Sequence, residues 1–293
     1  MSRFLPHLCL ATAMALVGSS VVAGEIMIRH FPIHLGSLLR FALASAIVVP
    51  FWLWREGGPP RLHPRSWLIL AGQTLCGSVL FTLFVLHGLR WTSPASAGII
   101  TSTTPACMGL LAWVILGERP GRRIMAGIAL SVTGIAILNA AGSHGGEGGS
   151  WLGNLLVAAA VVVESLFLLV RKSIPEKLSP LATTGIISVL ATLFFLPPGL
   201  SQARGFAFTA LPMEAWWCVL YYAVAVTIIA YLCWFAGVTK VSASVAGIFT
   251  GLLPVSALAV SALFLGQSVT LHHLAGCALA VTSIGLICGR STA

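Results

Sequence analysis

The stretch from Ala97 to Pro105 reads Ala-Gly-Ile-Ile-Thr-Ser-Thr-Thr-Pro, and the stretch from Ala246 to Pro254 reads Ala-Gly-Ile-Phe-Thr-Gly-Leu-Leu-Pro. The second stretch follows the first by 149 residues, and at this offset residues 93–138 align with residues 242–287 without a gap. Chance matching between apolar segments produces shared Leu and Ala, but rarely aligned Gly, Pro and Thr as well. The alignment therefore predicts an internal repeat.

The repeat lies in a strongly apolar chain. Of the 293 residues, 58% are hydrophobic and 8% are charged, and none of the seven acidic residues is Asp. An ordinary soluble domain has about 25% charged residues. Because a helix crosses the hydrocarbon core with about 20 apolar residues, the pattern predicts ten membrane spans and no soluble catalytic domain. The predicted spans are Leu5–Gly24, His34–Trp54, Trp67–Leu89, Pro94–Leu116, Gly121–Ala141, Trp151–Val170, Pro180–Leu200, Glu214–Gly237, Ser242–Leu265 and Thr270–Gly289.

The repeat divides these spans into two sets of five. We predict a first repeat over residues 1–141, an external Gly-rich linker over 142–150 and a second repeat over 151–293. Since five is odd, the second repeat enters the membrane from the opposite side. Such an inverted-topology repeat is typical of secondary transporters, whose substrate site lies near the midplane between the halves. The predicted fold class is an all-α membrane protein of two five-helix inverted repeats.

Lys and Arg in the short loops predict the orientation, because cytoplasmic loops carry an excess of them. With both termini in the cytoplasm of a bacterial inner membrane, twelve Lys and Arg residues face the cytoplasm and three face outward. The formal charge of +9 is thus explained by orientation, with the lipid bilayer as partner and no nucleic acid. An alternative interpretation of the first span is a signal peptide, but the charge bias favours its retention.

Two aligned prolines indicate where helices bend. Pro105 and Pro254 fall near the middle of spans four and nine, where a proline cannot bond to the carbonyl four residues earlier. The freed carbonyls are those of Thr101 and Thr250. We expect kinks in both helices. The freed oxygens either face a substrate cavity or are satisfied by the Thr hydroxyl and a neighbouring helix.

Polar residues inside the spans are candidates for the site, because burying them in lipid is costly. Glu164 in span six either binds a substrate amino group, carries a proton or only fixes packing. For Arg40, snorkelling or pairing with Glu25 is favoured over substrate binding. We expect His272 and His273 to be solvated in an outer loop. The remaining candidates for substrate binding are Gln73, Ser78, His87, Tyr231 and Trp234.

These features resemble the drug/metabolite transporter superfamily in its ten-helix EamA-type branch. The resemblance rests on Leu86–Gly98, on Thr104-Pro105, and on Leu116-Gly-Glu-Arg119. The second repeat has Leu265-Gly-Gln267 where the family usually has Gly-Glu, a departure from its pattern. Within this branch the chain is most similar to bacterial YddG-type exporters of amino acids, aromatic ones included. The resemblance implies export of a small molecule by alternating access through a central cavity, without a cofactor.

Three other functions are weighed against amino acid export. An exporter of drugs or cationic metabolites would have the same architecture. An intramembrane enzyme is disfavoured, because the sequence contains no HExxH, no GxSxG and no paired intramembrane carboxylates. A purely structural scaffold would have no need for inverted repeats. The seven cysteines form no CxxC pair, and we expect them to be small apolar residues rather than metal ligands.

Overall fold

The computed structural model describes residues 4–60, 62–116, 121–142, 150–171, 178–241 and 249–288. Within these ranges the chain forms helices and no strand. Two π-helical segments interrupt otherwise continuous rods, at Leu75–Leu80 and Tyr222–Ile229, and a single 3₁₀ turn covers Phe208–Ala210. The α-helices are α1 (Phe4–His30), α2 (Ile33–Glu56), α3 (Pro64–Thr74), α4 (Phe81–Gly88), α5 (Pro94–Thr101), α6 (Thr104–Leu116), α7 (Arg122–Gly142), α8 (Trp151–Arg171), α9 (Pro180–Ala203), α10 (Met213–Tyr221), α11 (Ala230–Val238), α12 (Leu252–Leu265) and α13 (Leu271–Cys288).

Within the described residues the helices coincide with the predicted spans, and the predicted fold class is confirmed. Residues 242–248 of predicted span nine and residue 289 of span ten lie outside the described residues. Five of them are continuous and apolar enough to cross a membrane: Leu5–His30, Ile33–Glu56, Pro64–Gly88, Pro180–Ala203 and Met213–Val238. Shorter apolar helices lie in the other spans of the described chain: Met125–Gly134, Trp151–Phe167, Leu252–Leu265 and Leu271–Leu286. The broken pair α5 and α6 forms the remaining span. Residues 143–149 of the predicted linker lie outside the described residues.

Serine caps define where two of the helices begin. The Ser93 hydroxyl accepts a hydrogen bond of 3.2 Å from the backbone N–H of Ser96 at the start of α5. The Ser179 hydroxyl accepts one of 2.9 Å from the N–H of Ala182 at the start of α9. A proline follows each cap, at a position whose N–H would have no helical partner.

The helix breaks lie immediately before the two aligned prolines. Two turn residues separate α5 from α6, and Pro105 occupies the first turn of α6. Residues 250–251 form the turn before α12, and Pro254 occupies the first turn of that helix. Each proline therefore stands where its missing N–H and fixed φ are tolerated.

The carbonyls next to these breaks are satisfied locally. The Thr101 oxygen accepts a hydrogen bond of 2.8 Å from the Thr104 hydroxyl. The Thr250 oxygen accepts one of 3.1 Å from the N–H of Leu253. Each of these oxygens therefore has a donor within hydrogen-bond distance in its own span.

The first span of each half packs against helices of the other half. Helix α1 of the first half packs against α11 and α12 of the second. Helix α8, the first span of the second half, packs in turn against α4, α5 and α6 of the first half. Each leading span thus contacts the third and fourth spans of the other half, as a two-fold relation between the halves requires.

Equivalent spans run antiparallel where they meet. Between α2 and α9, the second spans of the two halves, Phe41 stacks on Phe195 with ring centroids 5.8 Å apart, and Ser45 lies 3.1 Å from Thr192. Residue numbers rise along α2 as they fall along α9. Helices α7 and α13, the fifth spans, are joined by a hydrogen bond of 2.9 Å between the hydroxyls of Ser131 and Ser283. A second half running opposite to the first is the arrangement of an inverted repeat.

One contact between the halves depends on the absence of a side chain. Gly98 on α5 lies so close to α12 that a Cβ added there would overlap the Cβ of Ala257. Small residues allow helix backbones to approach closely in membranes. The two halves therefore meet at backbone distance at this point.

Candidate substrate site

A cavity of about 130 Å³ lies between the two halves. Its walls come from α1, α2, α8, the third span of each half and the residues beside both helix breaks. The lining residues are Met14, Val17, Ser20, Val21, Arg40, Gly77, Phe81, Thr82, Val85, Thr101, Thr104, Glu164, Phe167, Tyr222, Val226, Ala230, Tyr231, Trp234, Phe235, Thr250 and Leu253.

Both π-helical segments contribute to the cavity wall. Gly77 of the first segment packs so closely on Phe167 that a Cβ would overlap the ring. Tyr222 and Val226 of the second segment, which belongs to the other half of the protein, also line the cavity. The Thr227 hydroxyl donates a hydrogen bond of 3.0 Å to the Tyr222 carbonyl, five residues earlier. Such π-helical turns occur frequently at functional sites.

Arg40 is the cation of this cavity, although only 5% of its surface is exposed. Its Nε donates a hydrogen bond of 2.8 Å to the Thr227 hydroxyl. Its guanidinium carbon lies 4.0 Å from the ring centroid of Tyr222 and 4.6 Å from that of Phe41. No carboxylate among the described residues forms an ion pair with it. The guanidinium is thus held by aromatic faces and a neutral hydroxyl.

The predicted pairing of Arg40 with Glu25 is wrong. The Oε1 of Glu25 instead accepts a hydrogen bond of 3.1 Å from Arg29, one turn further along α1. Residues four apart on a helix lie on the same face, so Arg29 is the nearer partner for Glu25. Arg40 is left to face the cavity.

Glu164 brings a carboxyl group to the same cavity from α8. Its Oε2 accepts a hydrogen bond of 2.7 Å from the hydroxyl of Thr104, the first residue of α6. The neighbouring Ser165 is fully buried and donates to the Val161 carbonyl at 2.7 Å. Glu164 of the second half therefore contacts the helix break of the first half.

Helix α11 contributes aromatic residues to the wall. Tyr231 and Trp234 both line the cavity, and the Tyr231 ring meets Phe235 edge to face, with centroids 6.1 Å apart. The Tyr231 hydroxyl lies 3.3 Å from the hydroxyl of Ser78. Ser78 is buried behind Tyr231 and does not itself line the cavity.

The structure separates the other predicted site residues into two groups. Thr101 and Thr250 line the cavity, and the Thr101 hydroxyl donates within its own helix to the Ala97 carbonyl at 3.0 Å. Gln73 is fully buried outside the cavity wall, and its Oε1 has no hydrogen-bond partner among the described residues. His87 also lies outside the wall, with its Nδ1 2.8 Å from the Leu83 carbonyl.

Arg40, Tyr222 and Phe167 were not predicted to bind substrate. Arg40 could have been found as a cation inside a membrane span, followed directly by the aromatic Phe41. From sequence alone, however, Glu25 was available as its ion-pair partner. Tyr222 follows Tyr221, which is 38% exposed while Tyr222 is 4% exposed, and only the packing distinguishes them.

The prediction for His273 is wrong. It is 1% exposed, and its Nε2 lies 3.4 Å from the buried hydroxyl of Ser96. The adjacent His272 is exposed. Helix α13 begins at Leu271, so its second and third residues point in different directions.

Comparisons with known proteins identify relatives over the whole chain. The model of the EamA-like transporter family matches twice, at residues 5–140 and 151–289. An uncharacterized transporter, YetK of Bacillus subtilis, is 39% identical over 280 residues, which cover 95% of this chain and 85% of the relative. A protein of Streptantibioticus cattleyicolor named “Probable terminal-alkyne amino-acid exporter” is 27% identical over 79% of this chain and 76% of its own length. One crystal structure, 20% identical, superposes with a TM-score of 0.68 over 97% of this chain and 96% of that chain, and thus shares its fold.

Proposed function

The chain belongs to the EamA-like transporter family, and from this premise we propose that it exports amino acids, aromatic ones included, from the cytoplasm by alternating access. The chain is a multi-pass membrane protein and a transporter, as family membership indicates. The identity of the solute, the direction of transport and the membrane are our proposals. One relative, named for amino-acid export, supports the solute class.

The observation that carries the proposal is the presence of a guanidinium and a carboxyl group in one cavity with aromatic residues in its wall. Arg40 and Glu164 both line it, together with Tyr222, Tyr231 and Trp234. A free amino acid is a zwitterion, so Arg40 can receive its carboxylate and Glu164 its ammonium group. Guanidinium groups suit carboxylates because their donors match the two oxygens. The aromatic faces provide apolar surface for the side chain.

The position of the cavity supports alternating access. It lies between halves of opposite orientation, and residues at both helix breaks line it. Interrupted helices at a midplane site are a recurrent feature of such transporters. We propose that rocking of one half against the other exposes the cavity first to the cytoplasm and then to the outside. The excess of Lys and Arg in one set of loops supports cytoplasmic termini in a bacterial inner membrane.

Export of drugs or cationic metabolites is the alternative, and Glu164 with the aromatic residues favours it. Two observations weigh against it. A cation without a carboxylate would be repelled by the positive charge of Arg40 in the same cavity. The volume of about 130 Å³ is also small beside the roughly 300–1,000 Å³ of pockets for drug-sized ligands. An aromatic amino acid requires this cavity to widen as the helices move.

Counterflow of labelled phenylalanine in proteoliposomes tests the proposal. Phenylalanine, 2-phenylethylamine and 3-phenylpropionate are compared as competitors, because they share the ring and differ in charged groups. We expect phenylalanine to compete best. Stronger competition by 2-phenylethylamine would favour the cation exporter, and no exchange of any amino acid in a full panel would contradict the proposal.

A further inference from the structure

The third span of each half has a glycine at its end, and both glycines contact the leading span of the other half. Gly88 is the last residue of α4, and Gly237 lies 149 residues later near the end of α11, which is the offset of the repeat. A Cβ added to Gly88 would lie 2.7 Å from the side chain of Val157 and 3.1 Å from the carbonyl oxygen of Gly153, both on α8. There is no room for a methyl group at this position.

Gly237 makes the equivalent contact with α1. A Cβ added there would lie 2.7 Å from the side chain of Leu10 and 3.0 Å from the carbonyl oxygen of Pro6. Each glycine therefore meets the carbonyl of one residue and the side chain of the residue four positions further along the leading span. A glycine lets two helix backbones approach closely in a membrane, so both contacts depend on a missing side chain.

These two contacts lie at opposite ends of the bundle. Pro6 and Glu25 are separated by about 28 Å along α1. Thr92, four residues after Gly88, lies near Glu25, because both line one cavity at that end. With the termini in the cytoplasm, α1 meets α11 at the cytoplasmic end, and α4 meets α8 at the outer end. We call the first the cytoplasmic contact and the second the outer contact.

Symmetry distinguishes this pair from the contacts between equivalent spans. In an inverted-repeat transporter, each half takes over the conformation of the other when the protein passes from one end state to the other. The contacts of α2 with α9 and of α7 with α13 join equivalent spans, so this exchange maps each onto itself and both can persist. The cytoplasmic and outer contacts are instead mapped onto each other. They are therefore a pair of which one can open while the other stays closed.

The outer contact is reinforced by a buried hydrogen bond between the halves. The Thr92 hydroxyl donates to the Oδ1 of Asn154 at 2.6 Å, and the two residues are 7% and 1% exposed. At the cytoplasmic contact the equivalent positions are occupied by Val241 and His7. A valine side chain has no hydrogen-bonding group, so the bond between Thr92 and Asn154 has no counterpart between these two side chains. It stabilises the closed outer contact without an equivalent at the other end.

We propose that the outer and cytoplasmic contacts are the two gates of the transporter, and that the bond from Thr92 to Asn154 holds the outer gate closed while the cytoplasmic gate opens to admit the solute. This inference rests on the proposed function for alternating access. The opening of either gate can nevertheless be measured without any solute. The two glycines and Thr92 thus set which side of the membrane the central cavity faces at rest.

A cysteine in the wall of the central cavity reports which gate is open. Ser20 lines this cavity, so Ser20→Cys is introduced into the full chain. Its reaction with a membrane-impermeant maleimide is timed in right-side-out and in inside-out membrane vesicles, with the protein lacking this substitution as background. Because the outer gate has the additional hydrogen bond, we expect faster labelling from the cytoplasmic side. Faster labelling from outside would contradict the assigned role of that bond.

Replacing each glycine should shift the labelling in opposite directions. Gly88→Ala crowds the closed outer gate and should raise the ratio of the outside to the inside rate by about fivefold or more. Gly237→Ala crowds the closed cytoplasmic gate and should lower this ratio by a similar factor. General unfolding would raise both rates and cannot produce opposite shifts. An unchanged ratio in both proteins, or a shift of both in one direction, would overturn the proposal.

Gly72→Ala is the matched control for these substitutions. Gly72 is exposed on α3, and a Cβ added there would meet no neighbouring helix or side chain within 4 Å. The change therefore has the same effect on helix propensity without crowding a contact. It should leave the ratio of the two labelling rates as it is in the protein with all native glycines.

The hydrogen bond at the outer gate is tested separately. Thr92→Val keeps the shape of the side chain and removes its hydroxyl, so the ratio of the outside to the inside rate should rise by about fivefold. Thr92→Ser retains a hydroxyl and should restore the ratio. An unaltered ratio in the Thr92→Val protein would refute the role of this bond. Opposite shifts for the two glycines without counterflow of any amino acid would reject amino acid export and leave the gates standing.

Discussion

The Thr104 hydroxyl lies 2.7 Å from Oε2 of Glu164, and the same hydroxyl lies 2.8 Å from the carbonyl oxygen of Thr101. A hydroxyl carries one hydrogen and cannot donate fully to both oxygens at once. If Glu164 is protonated, it donates to Thr104, which donates to Thr101. If Glu164 is ionised, either its Oε2 or the Thr101 carbonyl oxygen is left without the Thr104 hydroxyl as donor. The protonation of Glu164 is therefore linked to the hydrogen bonds at the break between α5 and α6.

Replacing Glu164 with Gln should change transport without unfolding the protein. The amide can donate to Thr104 as a protonated carboxyl does, but it cannot receive an ammonium group as a charge or exchange a proton. We expect phenylalanine flux to fall by about tenfold to a hundredfold, as for loss of a hydrogen bond to a charged group. Flux measured in proteoliposomes from pH 5 to 8 should also lose any dependence on pH that the wild type shows.

Glu214→Gln is the control for this substitution, because Glu214 is exposed at the start of α10. It should keep the flux and pH profile of the wild type. Unaltered kinetics in the Glu164→Gln protein over the same pH range would mean that Glu164 serves packing alone.

Replacing Arg40 with Gln should separate solutes by their carboxylate. Loss of the guanidinium removes the proposed partner of that group, so phenylalanine flux should fall by about thirtyfold or more, as when one member of a buried charge pair is truncated. Competition by 2-phenylethylamine should be unchanged or stronger, which a general loss of folding would not produce. Arg204→Gln, at an exposed position, is the control. Equal weakening of both competitors would indicate a structural role for Arg40.

A bulky side chain at Thr250 should obstruct the central cavity. Thr250 lines the cavity beside the second helix break and is partly exposed to it. We expect Thr250→Leu to reduce flux severely while the protein elutes as a single species in detergent. The exposed Thr239→Leu is a suitable control. Wild-type flux in the folded Thr250→Leu protein would place the route elsewhere.

Oxidation of two native cysteines should stop transport. The thiols of Cys9 on α1 and Cys233 on α11 lie close enough to interact electrostatically and belong to different halves. Treatment with copper phenanthroline and oxygen removes two electrons and two protons from the thiols and forms a disulfide between them. If α1 and α11 must separate near Cys9 and Cys233 during transport, the disulfide should lower the flux. Reduction of the disulfide with dithiothreitol should restore it.

The Cys9→Ser protein should resist this treatment, and the number of thiols that react with a maleimide reports whether the bond has formed. A formed bond with undiminished flux would show that α1 and α11 need not separate.

The orientation of the halves can be tested at the predicted linker. A cysteine replacing Ser143 should react with an impermeant maleimide added to intact cells, because residues 142–150 are expected to lie outside. Reaction only after the cells are opened would place the linker in the cytoplasm and contradict the predicted topology.

The repeat and the apolar runs predicted the fold well, because both are long patterns that can be recognised in the sequence without knowing any contact between side chains. The aligned prolines at 105 and 254 also marked the positions at which helices begin anew. The site was predicted less completely. Arg40 has a carboxylate nearby in sequence, at Glu25, and only the packing of Arg29 against Glu25 shows that this carboxylate is occupied. Ser78 and Gln73 were predicted from span three, but the π-helical turn at Leu75–Leu80 changes which residues face the cavity.

The contact of Gly98 with Ala257 makes the packing between α5 and α12 depend on a missing methyl group. Overpacking such a contact costs about 1–3 kcal/mol, enough to shift the balance between alternative arrangements of the halves. Alanine at position 98 would disfavour the arrangement in which α5 and α12 touch. If export proceeds by alternating access, such a protein would still bind its solute, but its turnover would slow because one of the two end states is populated less.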